Sequence, residues 1–140
     1  MVSLEIIEDL PDVEAVLVPI GEGGLISDIL LAIKEKNPQV KIYGVEPTGS
    51  NSMYLSLQAG KLTELKNINT IADGLRSTQP GSLAFTIVKR YVEDILLVTD
   101  EEIKTALKIL LMEDKLLAEP SGASTLAALL SGKVPFKKIM

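Results

Sequence analysis

Hydrophobic positions along the chain follow two periods, one of helices and one of buried strands. Leu4, Ile6, Ile7 and Leu10 recur among acids and predict a short amphipathic helix, stopped by Pro11. Residues 13–20 are apolar at nearly every position and rich in Val, which predicts a buried strand. Gly21-Glu22-Gly23-Gly24 follows. Leu25, Ile26, Ile29, Leu30 and Ile33 then return at helical spacing, predicting a helix over 25–36 that Asn37-Pro38 ends. Residues 40–45 predict a second strand, closing with Glu46-Pro47. This is a β-α-β unit with short connections, and a right-handed crossover sets both strands parallel in one sheet.

The pattern continues with a helix over 50–59, ended by Gly60, and a polar, irregular stretch over 61–80. Asp73-Gly74 reads as a turn inside that stretch. A helix is predicted near 81–91 and a strand over 94–98. Thr99 with Glu102 three residues later forms a capping box for a helix over 100–114. Ser121 reads as the cap of a small-residue helix over 122–131, and residues 134–140 read as the start of a last strand. No repeat or linker interrupts the chain. The expected fold is a single α/β domain over residues 1–140, a three-layer αβα stack on a small, mainly parallel sheet of three or four strands.

Composition narrows the chemistry. The chain has 140 residues, 46% apolar and 24% charged, the profile of an ordinary globular domain. It contains no His and no Cys, which removes Ser-His-Asp and Cys-His catalysis, zinc fingers, haem ligation and iron–sulfur clusters. Only hard, carboxylate-binding metals remain. Without Cys nothing points to an oxidising compartment. The net charge of −5 speaks against nucleic acid, and Lys133, Lys137 and Lys138 read as a solvated basic end. No apolar run reaches about 18 residues, and the acidic N-terminus lacks the basic start of a signal peptide. A cytoplasmic protein with neither membrane nor nucleic-acid partner is expected.

The strongest local signal is Pro19-Ile20-Gly21-Glu22-Gly23-Gly24-Leu25, between a strand and a helix. Such glycines let the backbone turn tightly and bring N–H groups to an anion, and the helix N-terminus adds partial positive charge. A phosphate suits it. The alternative is a Gly-rich turn with no ligand, and Glu22 would repel a phosphate unless it points to solvent. The unit also half-matches a dinucleotide fingerprint: Gly21-x-Gly23 follows a strand, and Glu46 stands where a ribose-binding acid would. The third glycine is missing, since position 26 is Ile. A non-enzymatic module binding NAD or AMP is therefore the runner-up. Glu46, Ser50 and Ser52 offer one carboxylate and two hydroxyls, few for a hard metal. The simpler reading is a strand-end acid followed by capping serines.

In order, Pro19-x-Gly21-x-Gly23-Gly24-Leu25, Gly44-Val45-Glu46-Pro47, Thr70-Ile71-Ala72-Asp73-Gly74-Leu75, Val98-Thr99-Asp100-Glu101-Glu102-Ile103 and Glu119-Pro120-Ser121-Gly122-Ala123 span nearly the whole chain. Together they resemble the serine/threonine dehydratases, pyridoxal-phosphate (PLP) enzymes of the tryptophan-synthase-β type, fold type II, with serine racemase a near relative. The resemblance implies that Gly21, Gly23, Gly24 and Leu25 cradle the PLP phosphate through backbone N–H groups. Gly74 would approach the cofactor through its backbone, and Glu119 would lie near the pyridine ring. In metal-binding relatives Glu46 matches a carboxylate ligand, Ser50 a backbone-carbonyl ligand and Ser52 a position usually held by an acid. The family reaction converts L-threonine to 2-oxobutanoate and ammonia.

The departures are specific. The family's Schiff-base lysine lies in a Ser-x-Lys-x-Arg-Gly-like segment of the N-terminal half, and no such segment occurs here. The Ser-Gly-Gly-Asn segment that meets the pyridine nitrogen should follow the last strand, and the chain ends just short of it. Positions 22 and 28, usually Gly, are Glu and Asp. They read as acids that keep a newly exposed face soluble. The resemblance thus implies a C-terminal portion of the large domain with no catalytic residue of its own and at most weak phosphate or PLP binding. It would be a homodimer paired at an exposed sheet edge, or a half completed by an N-terminal domain.

Overall fold

Three strands, β1 (Ala15–Pro19), β2 (Lys41–Pro47) and β3 (Asp94–Val98), pair in parallel in the order β1-β2-β3. The structure is a computed structural model and describes residues 2–134. In register, Val16 stands opposite Ile42 and Gly44 opposite Ile95. Side chains alternate between the two faces, so a strand covered on both sides must be apolar at nearly every position. On one face Val16, Val18, Ile42 and Ile95 meet α2 (Gly24–Lys36) through Ile26, Ile29, Leu30 and Ile33. Val88 of α4 (Ser82–Tyr91) and Met53 of α3 (Ser52–Ala59) join that core, with α1 (Val2–Asp9) at its edge.

On the other face Ala15, Leu17, Tyr43, Val45 and Val98 meet α5 (Asp100–Met112) and α6 (Pro120–Leu130). Ala123, Ala127 and Ala128 line the inner side of α6, and their small size lets the helix cross close over all three strands. Each fully buried Ile or Leu contributes about 1.5–3 kcal/mol relative to exposure, so the two cores dominate stability. Gly44, in the central strand, leaves room for side chains from both flanking segments: a Cβ there would overlap the Ile20 side chain and lie 2.7 Å from Ile95 Cδ1. The expected three-layer α/β stack is the observed one.

The capping box of α5 forms, with the Thr99 hydroxyl accepting from the Glu102 N–H at 3.1 Å and the Glu102 carboxylate from the Thr99 N–H at 3.1 Å. Two expected caps do not. α6 begins at Pro120, earlier than the pattern suggested, so Ser121 sits inside its first turn and Glu119 is the cap residue. Proline suits a first helical position because its missing N–H has no intrahelical acceptor to lose there. Ser50 and Ser52 do not cap α3, whose cap residue is Asn51. The expected strand over 134–140 falls, beyond Val134, outside the described residues. Among the described residues no helix is long and apolar enough to cross a membrane.

Candidate functional site

The parallel strands end on one edge of the sheet, where ligands of open α/β sheets bind. Three loops meet there: residues 20–24 after β1, the 3₁₀ turn Asp73–Leu75, and the entry to α6 at Glu119. Their contact is close. A Cβ on Gly21 would lie 3.4 Å from the Gly74 carbonyl oxygen and 3.7 Å from Leu75 Cα. A Cβ on Gly74 would lie 2.7 Å from Ser121 Oγ, 3.2 Å from Ser121 Cβ and 3.8 Å from Glu119 Oε1. At Gly74 a side chain would press on Ser121, whereas at Gly21 a Cβ would make only ordinary contacts. Gly21, Gly74 and Glu119, far apart in sequence, thus share one small region of the sheet edge.

The orientation of the glycine loop follows from its carbonyls. The Glu22 carbonyl accepts from the Gly81 N–H at 3.0 Å. The Gly23 carbonyl accepts from the Ser27 hydroxyl at 2.6 Å and from the Ser27 N–H at 3.1 Å. In a trans peptide the N–H points opposite the C=O. The Gly23 and Gly24 N–H groups are therefore turned away from these partners, toward the open end of α2, where the first-turn amides have no intrahelical acceptor. Gly23 adopts φ +105°, and a Cβ there would lie 2.8 Å from Ala84 Cβ. A Cβ on Gly24 would meet nothing within 4 Å, and Gly24 is exposed whereas Gly23 is buried. Glu22 is exposed, the orientation in which its charge is least repulsive to an anion.

Glu46 and Ser50 lie beneath the site, each already engaged. Glu46 is fully buried, and its carboxylate accepts from the Tyr54 N–H at 2.7 Å and the Met53 N–H at 3.0 Å. It caps α3 from the preceding strand, which is why the serines do not. Burial pushes its carboxyl up to about 8, against the pull of the Tyr54 and Met53 amides. The Ser50 hydroxyl donates to the Leu75 carbonyl at 2.9 Å and accepts from the Ser77 N–H at 3.3 Å, pinning the turn that carries Gly74. Ser52 Oγ is buried without a hydrogen-bond partner. Among the described residues no group of three or more acids could hold a metal ion.

Residues to which the sequence reading gives no role at the site complete the frame. Asp100 accepts from the Thr70 hydroxyl at 2.8 Å and from the Ile71 N–H at 3.3 Å, tying the start of α5 to the approach to Gly74. Ser121, expected only as a cap, is the side chain that Gly74 accommodates. Lysine side chains are engaged elsewhere: Lys34 with the Pro38 and Val40 carbonyls, Lys41 with Glu93, Lys104 with Glu101, Lys115 with the Met112 carbonyl and Lys133 with Glu102.

Comparison with known proteins places the chain in a family. The family model for "Pyridoxal-phosphate dependent enzyme" matches residues 1–139. L-threonine ammonia-lyase of Thermotoga maritima is 46% identical over 130 residues, covering 93% of this chain and 32% of that protein. The L-threonine dehydratase TdcB of Escherichia coli K12 is 43% identical over 133 residues, covering 95% and 40%. Among solved structures, maize serine racemase superposes with a TM-score of 0.91 at 43% identity, over 94% of this chain and 41% of that one. Threonine deaminase isoform 2 of Solanum lycopersicum, in its processed form, superposes with a TM-score of 0.92 at 34% identity, over 99% and 41%. The chain spans between about a third and two fifths of the length of these relatives. With a family match along nearly its full length, the chain belongs to the pyridoxal-phosphate dependent enzymes.

Proposed function

We propose that this chain is the phosphate-holding part of a PLP-dependent threonine/serine dehydratase and that it does not turn over substrate by itself. The observation that carries the reading is the convergence of Gly21, Gly74 and Glu119 beside the outward-facing amides of Gly23 and Gly24. The backbone N–H groups of Gly23, Gly24 and Leu25 bind the phosphate, helped by the N-terminal dipole of α2. Gly74 supplies a side-chain-free wall, and Glu119 a carboxylate beside it. When bound, PLP supplies the electron sink for eliminating water from threonine, and the protein supplies orientation. The proton-moving lysine segment is absent from this sequence, so binding is weak and elimination does not proceed.

Titration with inorganic phosphate and then with PLP, followed through backbone amide resonances, tests this. Shifts should concentrate at residues 21–25 and 74. Intact mass after borohydride reduction should show no PLP fixed stoichiometrically on one lysine. Steady formation of 2-oxobutanoate from threonine and PLP would overturn the silent reading. Shifts spread over the surface lysines would overturn the assignment of the cradle.

A further inference from the structure

We infer that Asp94 and Lys133 guard the outer edge of β3 against the addition of another strand. Among the described residues β3 pairs only with β2. Along a parallel strand the backbone groups of successive residues alternate between the two sides. The Thr48 N–H donates to the Val98 carbonyl at 2.8 Å, so Asp94, Leu96 and Val98 turn their groups toward β2, and Ile95 and Leu97 turn theirs outward. Each outward residue has a charged side chain on its backbone. The Ile95 N–H donates to the Asp94 carboxylate at 2.8 Å. The Lys133 ammonium, 36 residues along the chain, donates to the Leu97 carbonyl at 2.7 Å.

The edge calls for such guards. Ile95-Leu96-Leu97-Val98 is an unbroken apolar run without proline or glycine, a composition that invites strand pairing. Lys133 is also fixed in place, whereas an unheld lysine would extend into water and leave the carbonyl bare. Glu102 accepts from its ammonium at 3.1 and 3.0 Å, and Glu102 is itself locked by the capping box of α5. The contacts from Thr99 through Glu102 and Lys133 thus close on Leu97, in the strand that leads into Thr99. An incoming strand needs the outward groups as its own partners. It has to displace a carboxylate from one and an ammonium from the other, and each displaced group loses a charge-assisted hydrogen bond. This inference is independent of the cofactor reading.

Lys133→Met in the full chain tests it, since it keeps an unbranched side chain and removes the ammonium. Hydrogen exchange at the outward Leu97 N–H, followed from micromolar to submillimolar concentration, reads strand addition directly. In the parent chain its rate should not depend on concentration. In Lys133→Met it should slow by about tenfold or more as concentration rises, with a growing thioflavin T signal. Lys133→Arg retains the cation and should behave as the parent. So should Lys104→Met, which removes a lysine paired with Glu101 on the exposed face of α5 and controls for loss of charge alone. Far-ultraviolet circular dichroism checks folding, and Asp94→Ala, which frees the Ile95 N–H, gives the same readout should Lys133→Met not fold. A Leu97 amide that gains protection with concentration in the parent would overturn the inference. So would Lys133→Met and Asp94→Ala chains that match the parent at every concentration, or a Lys104→Met chain that associates as Lys133→Met does.

Discussion

Glu46→Gln isolates the energetic weight of the acid beneath the site. In the folded chain the Glu46 carboxyl is raised from 4.5 to about 8, chiefly by burial. The folded state then holds a proton that the unfolded state has released, so stability falls as pH rises through this window. Relative to the fully protonated state, linkage gives a loss of roughly 1 kcal/mol by pH 5.5 and about 4 kcal/mol by pH 8. About 3 kcal/mol is therefore lost between those pH values, a large part of the roughly 5–15 kcal/mol of a typical domain. The chain has no His, so apart from the terminal amine no group with an ordinary pKa titrates there. Gln keeps an oxygen for the Tyr54 N–H but turns an amide N–H₂ against the Met53 N–H, a pH-independent cost of about 1–3 kcal/mol. Urea unfolding at constant ionic strength from pH 5.5 to 8 should show a steep decline for the parent chain and a nearly flat line for Glu46→Gln, with the variant gaining on the parent throughout. Parallel lines would refute the burial argument.

Gly74→Ala should cost about 1–3 kcal/mol by overpacking against Ser121, and Ser121→Ala in the same chain should recover part of it, read by urea midpoints. Gly23→Ala meets both a left-handed φ and Ala84, so it should destabilise by at least about 1–2 kcal/mol and weaken phosphate binding in the amide titration. Ser50→Ala strands the Leu75 carbonyl and the Ser77 N–H and should cost about 1–3 kcal/mol, with faster hydrogen exchange confined to the 72–77 turn. Glu102 is opposed by burial, but bonds from Lys133, Thr99 and Ser131 hold its carboxyl down at about 2. Its contribution is present above pH 4.5 and lost as pH falls toward 2, so Glu102→Gln should flatten the acid limb of the stability curve measured by urea unfolding.

The strands and most helices were legible because burial on two faces leaves an almost unbroken apolar run, as at residues 13–20, and one-sided burial leaves a helical stripe, as at 25–36. The glycine loop between β1 and α2 was legible because glycine is visible where the backbone is special, as at Gly23 with its left-handed φ. The ties that fix the loops were not. Ser50 reaches Leu75 across 25 residues and Thr70 reaches Asp100 across 30, and nothing local distinguishes such a hydroxyl from a helix cap. The caps failed for the same reason. Whether α3 is capped by Ser50, Ser52 or the Glu46 carboxylate depends on where β2 ends in space, and it is the carboxylate at the strand end that reaches the amides. The need for glycine at 74 becomes visible only once Ser121 stands against it.

These ties bear on how the site works. Two of the three loops at the sheet edge are fixed by polar groups from elsewhere in the same chain: the glycine loop by Ser27 and Gly81, and the Gly74 turn by Ser50, with its approach held by Asp100. With the Glu22 and Gly23 carbonyls so engaged, the following amides keep their outward aim without a ligand to hold them. An anion then causes little reorganisation on binding, because the donors stand in place beforehand. The lysine that would move a proton is not among the groups these ties hold. Under the proposed function, then, anchoring and chemistry are separable: variants of Ser27 or Ser50 should change phosphate affinity in the isolated chain, where no turnover exists to be lost.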